Sequence, residues 1–462
     1  MTETNLSKEA HCNTTAILIA VCIGSFLSPL TMAAVNVALP SIAENLSASA
    51  QLISWIPTAF LLSNVAFMLP CSKLADNIGR KRVYIAGLLI VCLASTFAAL
   101  TPSIEWLLFS RLIQGIGSAM IFGCGMAIIT SVFPPNKRGL PLGLNSFCIY
   151  LGLALAPMVG GWCTEHLGWR SVFWLQIPAS LAVIAIMISQ KGEWTNPSQG
   201  RYDWKGTVLF GGWAFTFTVG LSGLPNMQYL IGMMLGLILL VWFIRHEADT
   251  ENPLIRVGMF RESRVFSFSL IAAFLMYAAG YPVAFIVSLY LQYILAMSPI
   301  EAGQIMLLQA VAMMILAPFA GKLSDRWDSR WLATSGCAAA TIGFFLLTLM
   351  NEKSGNTQIA LAMILLGIGY GLFTTPNNNT VMSAVVQKEI GSAAASVNLA
   401  RVSGNLISMG VVTMIVHWLM GDNLITPTQH SELEAATKIS LSIATIWALS
   451  AGLFSALRGK TL

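Results

Sequence analysis

The chain has 462 residues, of which 56% are hydrophobic and only 10% charged, and its mean hydropathy is +0.73. Soluble domains carry about 25% charged residues, so a water-facing surface cannot be assembled from this composition. The net charge of +5 comes without a basic patch interleaved with aromatics, so no nucleic-acid partner is expected.

A bilayer-spanning helix needs about 20 mostly apolar residues. In chain order the sequence offers fourteen such stretches: 15–40, 51–72, 83–101, 105–129, 139–161, 170–189, 205–222, 227–244, 265–292, 301–320, 331–350, 358–380, 393–418 and 437–457. The seventh and twelfth are the most polar; the twelfth contains Asn377, Asn378 and Asn379. The expected fold is therefore an all-α polytopic membrane protein. An even number of spans puts both termini on one side of the membrane. Most of the 25 Lys and Arg fall on that side, among them Lys73, Arg80, Lys81, Arg82, Lys137, Arg138, Arg261, Arg264, Lys322, Arg326, Arg330 and Arg458. Such a bias predicts cytoplasmic termini. The eight cysteines sit mostly inside apolar runs without metal spacing and read as packing residues.

The sequence repeats itself weakly. Lys73-Leu74-Ala75-Asp76 follows the second span, and Lys322-Leu323-Ser324-Asp325 follows the tenth, each shortly after a proline, Pro70 or Pro318. An internal repeat in matching topological positions is expected of a transporter made of two similar bundles. It predicts six-helix bundles over residues 1–189 and 265–462, with spans seven and eight inserted between them in 190–264.

Three motifs carry more than topology. In the run Ser72 to Arg82, Asp76 can accept hydrogen bonds from a neighbouring helix N-terminus or pair with a nearby arginine, and Gly79 permits a tight turn. That arrangement suits a clamp between the bundles on the cytoplasmic side. In the fourth span, Arg111-Leu112-Ile113-Gln114-Gly115-Ile116-Gly117 places a costly arginine in a membrane helix. It faces a cavity or partner, or else snorkels to the outer interface. In the fifth span, Gly143, Gly152, Ala156-Pro157 and Gly160-Gly161 give a bent helix with one face open to close approach.

These motifs together resemble the major facilitator superfamily, in particular its 14-helix drug/proton antiporter branch. The first run is similar to the family's loop signature between helices 2 and 3, with Ser72 where glycine is usual. The second is similar to the helix 4 signature, and the third to the helix 5 antiporter signature with Ala156 replacing a glycine. Asn36-Val37-Ala38-Leu39-Pro40, Trp55, Leu61, Asp203-Trp204-Lys205-Gly206 and Arg401 fit the same branch. The resemblance implies two six-helix bundles plus an inserted hairpin. It implies export of small organic solutes by alternating access across the plasma (inner) membrane, with no cofactor and as a monomer. The resemblance also implies protons as the coupling partner. The branch commonly carries an aspartate where this chain has Thr31, so coupling through an acid at that place is not implied, whereas a carboxylate cargo could bring its own proton.

The cargo site is expected among polar residues within the spans: Thr31, Asn36, Arg111, Gln114, Tyr150, Tyr281 and Gln304. Asp76, Gly79, Arg80, Arg111, Gly152, Pro157, Gly160, Gly161, Asp325 and Arg401 are expected to govern conformational change. None of the 20 acidic residues falls at mid-membrane, whereas Arg111 and Arg401 lie well within spans. Neutral or anionic cargo is therefore expected over quaternary cations. Import of a metabolite on the same fold is the alternative. An embedded enzyme is disfavoured, because all five histidines and all acids lie in or near loops.

Overall fold

The computed structural model describes residues 13–134, 139–194, 202–324, 327–351, 355–385, 390–421, 423, 425 and 429–459. Asp325 lies outside them. The described residues form helices and connecting turns: α1 (Thr14–Leu46), α2 (Ala50–Ile78), α3 (Arg80–Leu100), α4 (Ile104–Val132), α5 (Gly139–Leu167), α6 (Ser171–Trp174), α7 (Gln176–Ser189), α8 (Trp204–Ser222), α9 (Met227–Asp249), α10 (Gly258–Glu262), α11 (Arg264–Leu289), α12 (Pro299–Ser324), α13 (Ser329–Thr348), α14 (Asn356–Ser383), α15 (Ile390–Met420) and α16 (His430–Leu457). The short α6 and α7 together form one span, and a π turn, Tyr290–Ile294, extends α11.

Thirteen spans among the described residues are long and apolar enough to cross a bilayer. The fourteenth helix, α8, has 19 residues but is diluted by Lys205, glycines and threonines. It is held instead by its neighbour. Gly220 packs on Met233, Gly236 on Phe217 and Gly212 on Leu239, so α8 and α9 run antiparallel as a hairpin. The foot of that hairpin is polar. Asp203 caps α8 by accepting from the Gly206 amide at 2.8 Å, and His246 of α9 lies 2.9 Å from the same carboxylate.

Side-chain caps mark where several spans begin. Asn13 Oδ1 accepts from the Ala16 amide, and Ser49 Oγ accepts from the Leu52 amide. Prolines interrupt α1, α2, α5, α11, α12 and α14 without ending them. Membrane helices tolerate this because neighbouring helices satisfy the freed carbonyls.

Helix α1 packs chiefly on α5, α2 on α4, and α3 on α4; later in the chain α13 packs on α14 and α16, and α12 on α14. The earlier and later helices meet mainly at the end away from the chain termini. There α5 contacts α12, and α2 contacts α15. Thr58 Oγ1 lies 3.2 Å from Thr413 Oγ1, the Ala50 amide donates to the Asn423 carbonyl, and Gln292 donates to the Val37 carbonyl at 3.0 Å. The Ile300 amide donates to Glu165 at 3.1 Å. The α8–α9 hairpin lies outside, with α8 against α2 and α15.

Candidate functional site

Helices α1, α2, α4, α5, α11, α12, α14 and α15 surround a cavity of about 190 Å³. Its wall is mostly apolar and aromatic, including Phe60, Phe122, Tyr150, Tyr277, Tyr281 and Tyr370, with Asn64, Gln309 and Asn405 as polar points. Among the described residues that line it there is no carboxylate, and Arg401 is the one charged side chain. Arg401 donates from Nη2 to Asn398 Oδ1 at 2.9 Å, and its guanidinium carbon lies 6.0 Å from the Phe122 ring centre. Among the described residues no carboxylate lies within ion-pair distance of it. None of the lining residues comes from α8 or α9.

The residues expected to hold cargo separate into groups. Tyr150 and Tyr281 line the central cavity. Thr31, Arg111 and Gln114 line a second, much smaller cavity behind Phe60, whose ring belongs to both walls. Asn36 is fully buried in α1 and lines neither. Gln304 is exposed and faces away from both; its neighbours Met306 and Gln309 take the places on the wall. Tyr370 and Asn405, also on the wall, carry no distinguishing motif in the sequence.

Arg111 does not snorkel. It is 1% exposed, donates from Nη1 to Gln114 Oε1 at 2.7 Å and from Nε to the Ile56 carbonyl at 3.3 Å, and stacks 4.5 Å from the Phe60 ring centre. Gln114 passes the network on to Ser95 and thence Gln176, tying α4 to α3 and α7.

The Asp76 motif is not a loop. Helix α2 runs through Asp76 to Ile78, and α3 starts at Arg80, so Gly79 alone makes the turn, at φ 117°. L side chains rarely adopt that conformation. Asp76 Oδ1 accepts from Arg80 Nη2 at 2.6 Å and from Nε at 2.9 Å, while Arg80 Nη1 donates to the Ala127 carbonyl of α4 at 3.0 Å. These bonds tie α2, α3 and α4 together; the contact expected across the bundles is not among them.

The glycines of α5 serve different neighbours. A Cβ at Gly160 would press on Ala34 of α1, and one at Gly152 on Phe26 of the same helix. At Gly161 it would lie 3.0 Å from the Pro299 carbonyl carbon of α12. The contact is reciprocal, since a Cβ at Gly303 of α12 would lie 3.0 Å from the Pro157 carbonyl carbon. Pro157 also lines the central cavity, so the α5–α12 seam and the cavity share a wall.

Apolar spanning helices that enclose a central cavity, sealed by helix contacts at one end, define a multi-pass solute transporter. A family model of the Major Facilitator Superfamily matches residues 21–409, and the chain belongs to that superfamily. It is a transporter and not an enzyme. The riboflavin transporter RibZ of Clostridioides difficile is 28% identical over 81% of this chain and 82% of its own length. The uncharacterized transporter YebQ of Escherichia coli is 29% identical over 96% and 94%, and the multidrug efflux pump LfrA of Mycolicibacterium smegmatis is 27% identical over 84% and 78%. Among solved structures, a bacterial homolog of the human lysosomal transporter Spinster, in an inward-facing and unoccupied conformation, matches with a TM-score of 0.69 at 16% identity, covering 96% of both chains. A D-xylose–proton symporter matches with a TM-score of 0.68 at 15% identity, covering 96% of this chain and 97% of its own.

Proposed function

We propose that this transporter exports small neutral or anionic organic solutes, preferably flat and aromatic, by alternating access. The observation that carries the proposal is the central cavity, whose described lining has tyrosines and phenylalanines, one arginine outside any ion pair and no carboxylate. A flat neutral ring stacks on aromatic faces. An anion also gains from Arg401. A permanent cation meets no counter-charge and is repelled by Arg401. Ring faces alone offer it about 2 kcal/mol or somewhat more when desolvated, which the repulsion opposes. Relatives named as a multidrug efflux pump and as a riboflavin transporter fit a site for flat organic molecules.

In this reading residues 1–189 and 265–462 are the bundles that rock, and 190–264 is a linker carrying the peripheral hairpin. With cytoplasmic termini, the seam of α5 with α12 and of α2 with α15 is the extracellular gate, closed in this conformation. Asp76, Arg80 and Gly79 belong to the opposite gate, where Asp76 changes partner when that side closes. The riboflavin transporter among the relatives favours a second reading, transport of a flavin-like metabolite through the same cavity.

The test is reconstitution into proteoliposomes with a panel of neutral aromatic heterocycles, organic anions and quaternary ammonium compounds at several pH values. Saturable transport is expected of the first two classes. Saturable, specific transport of a quaternary cation would overturn the charge assignment. Net uptake by intact cells expressing the protein would overturn the direction.

A further inference from the structure

The small cavity behind Phe60 has an unusual wall. Arg111 is 1% exposed, and its Nη2 has no hydrogen-bond partner within the protein. The Oγ atoms of Ser118, 1% exposed, and Ser28, 3% exposed, are likewise without partners. All three residues line the one cavity, of about 10 Å³. Thr31 also lines it, but its hydroxyl is committed to the Leu27 carbonyl at 2.6 Å. The wall thus presents one unpaired guanidinium edge and two free hydroxyls, brought together from α1 and α4.

That donor set is one for an anion. Guanidinium and hydroxyl groups can both donate, and guanidinium has no accepting atom. The charge sets a further condition. Among the described residues Arg111 belongs to no ion pair, and its side chain is buried in the packing around α4. An ion buried without a partner is strongly disfavoured even after relaxation. Its neutral neighbours supply hydrogen bonds and one aromatic face, but no negative charge. Water would satisfy the hydrogen bonds and leave the charge uncompensated.

We propose that Arg111, Ser118 and Ser28 form a binding site for one monatomic halide, chloride under ordinary conditions, which serves as the counter-ion of Arg111. The size limits the ligand. A cavity of about 10 Å³ has room for one water-sized particle, and a halide needs only slight widening. A carboxylate-bearing solute does not fit, and the Phe60 ring separates the site from the central cavity. The halide is therefore structural and distinct from the cargo.

Thermal unfolding of the purified full-length protein, without cargo, tests the site. It is measured at fixed pH and ionic strength in sodium chloride, sodium bromide and sodium gluconate, whose anion is too large to enter. Chloride and bromide are expected to raise Tm by about 1–3 °C over gluconate, saturating with halide concentration. Thr31→Asp places a carboxylate in the same cavity, so its Tm is expected to be equal in all three salts. Ser118→Ala removes one hydrogen bond to the ion and is expected to weaken the apparent halide affinity about tenfold. Equal Tm for the unsubstituted protein in the three salts would overturn the proposal, and so would a full halide effect in Thr31→Asp. If that variant does not fold, an unchanged halide affinity in Ser118→Ala overturns it. Because no cargo is present, failure here leaves the proposed transport function untouched.

Discussion

Gly161 and Gly303 offer a direct test of how the far end of the molecule is sealed. Each glycine lets its helix rest on a carbonyl of the other: α5 on Pro299, α12 on Pro157. In Gly161→Ala the new methyl would stand 3.0 Å from the Pro299 carbonyl carbon and 3.2 Å from Ile300 Cα, with the Pro299 carbonyl oxygen closer still. Backbone has no rotamer with which to yield, so the helices must separate by about 1 Å to restore ordinary contact. Overpacking of this kind costs about 1–3 kcal/mol. The cost falls only on the conformation in which α5 and α12 touch. The equilibrium should therefore move about 5- to 150-fold toward a conformation in which they part. Spin labels at Leu167, which is 63% exposed, and at exposed Glu301, in a cysteine-free background, report the separation by electron–electron double resonance. Longer distances are expected for Gly161→Ala and Gly303→Ala. They are not expected for Gly211→Ala, where a Cβ meets nothing within 4 Å. A distance distribution in Gly161→Ala matching that of the unsubstituted protein would refute the assignment of this seam as the gate.

Asp76→Asn should lower stability by only about 0.5–1 kcal/mol, because the Arg80 pair is partly solvated, yet it should slow transport far more. Comparison of Tm with initial transport rate separates the two, and normal transport would leave the motif a purely topological role. Gly117→Val should destabilise strongly, by about 1–3 kcal/mol, since even its Cβ would come within 2.7 Å of the Gly87 carbonyl of α3; a Tm within a degree of the unsubstituted protein would contradict the packing. Asp203 titrates below the ordinary carboxylate range: burial pushes it up, but the Gly206 amide and His246 outweigh burial. A depressed acid stabilises the fold above its unfolded value, about 3.9, and that contribution is lost as the pH falls through the folded value. Acidification below about pH 4 should therefore lower the Tm of the unsubstituted protein more steeply than that of Asp203→Asn; equal slopes would show that Asp203 stabilises nothing by its charge.

The sequence by itself determined the class of molecule and the places of its spans. So few charges leave no alternative to a lipid-facing exterior, and apolar runs of spanning length must close their backbone hydrogen bonds as helices. The motifs around Asp76, Arg111 and Pro157, together with the spans, were sufficient to indicate the family. Only the tertiary structure decided which way individual residues face. Many of these helices are apolar all round, so their sequences carry no amphipathic stripe from which to read the rotation of each about its axis. That is why Tyr150 and Tyr281 reach the cavity while Gln304 turns away, and why Gly160 meets α1 while Gly161 meets α12. Arg111 was visible from its charge alone. Its place behind Phe60, beside two unpartnered serines from two helices, follows from the packing of α1, α2 and α4, which no stretch of the chain encodes locally.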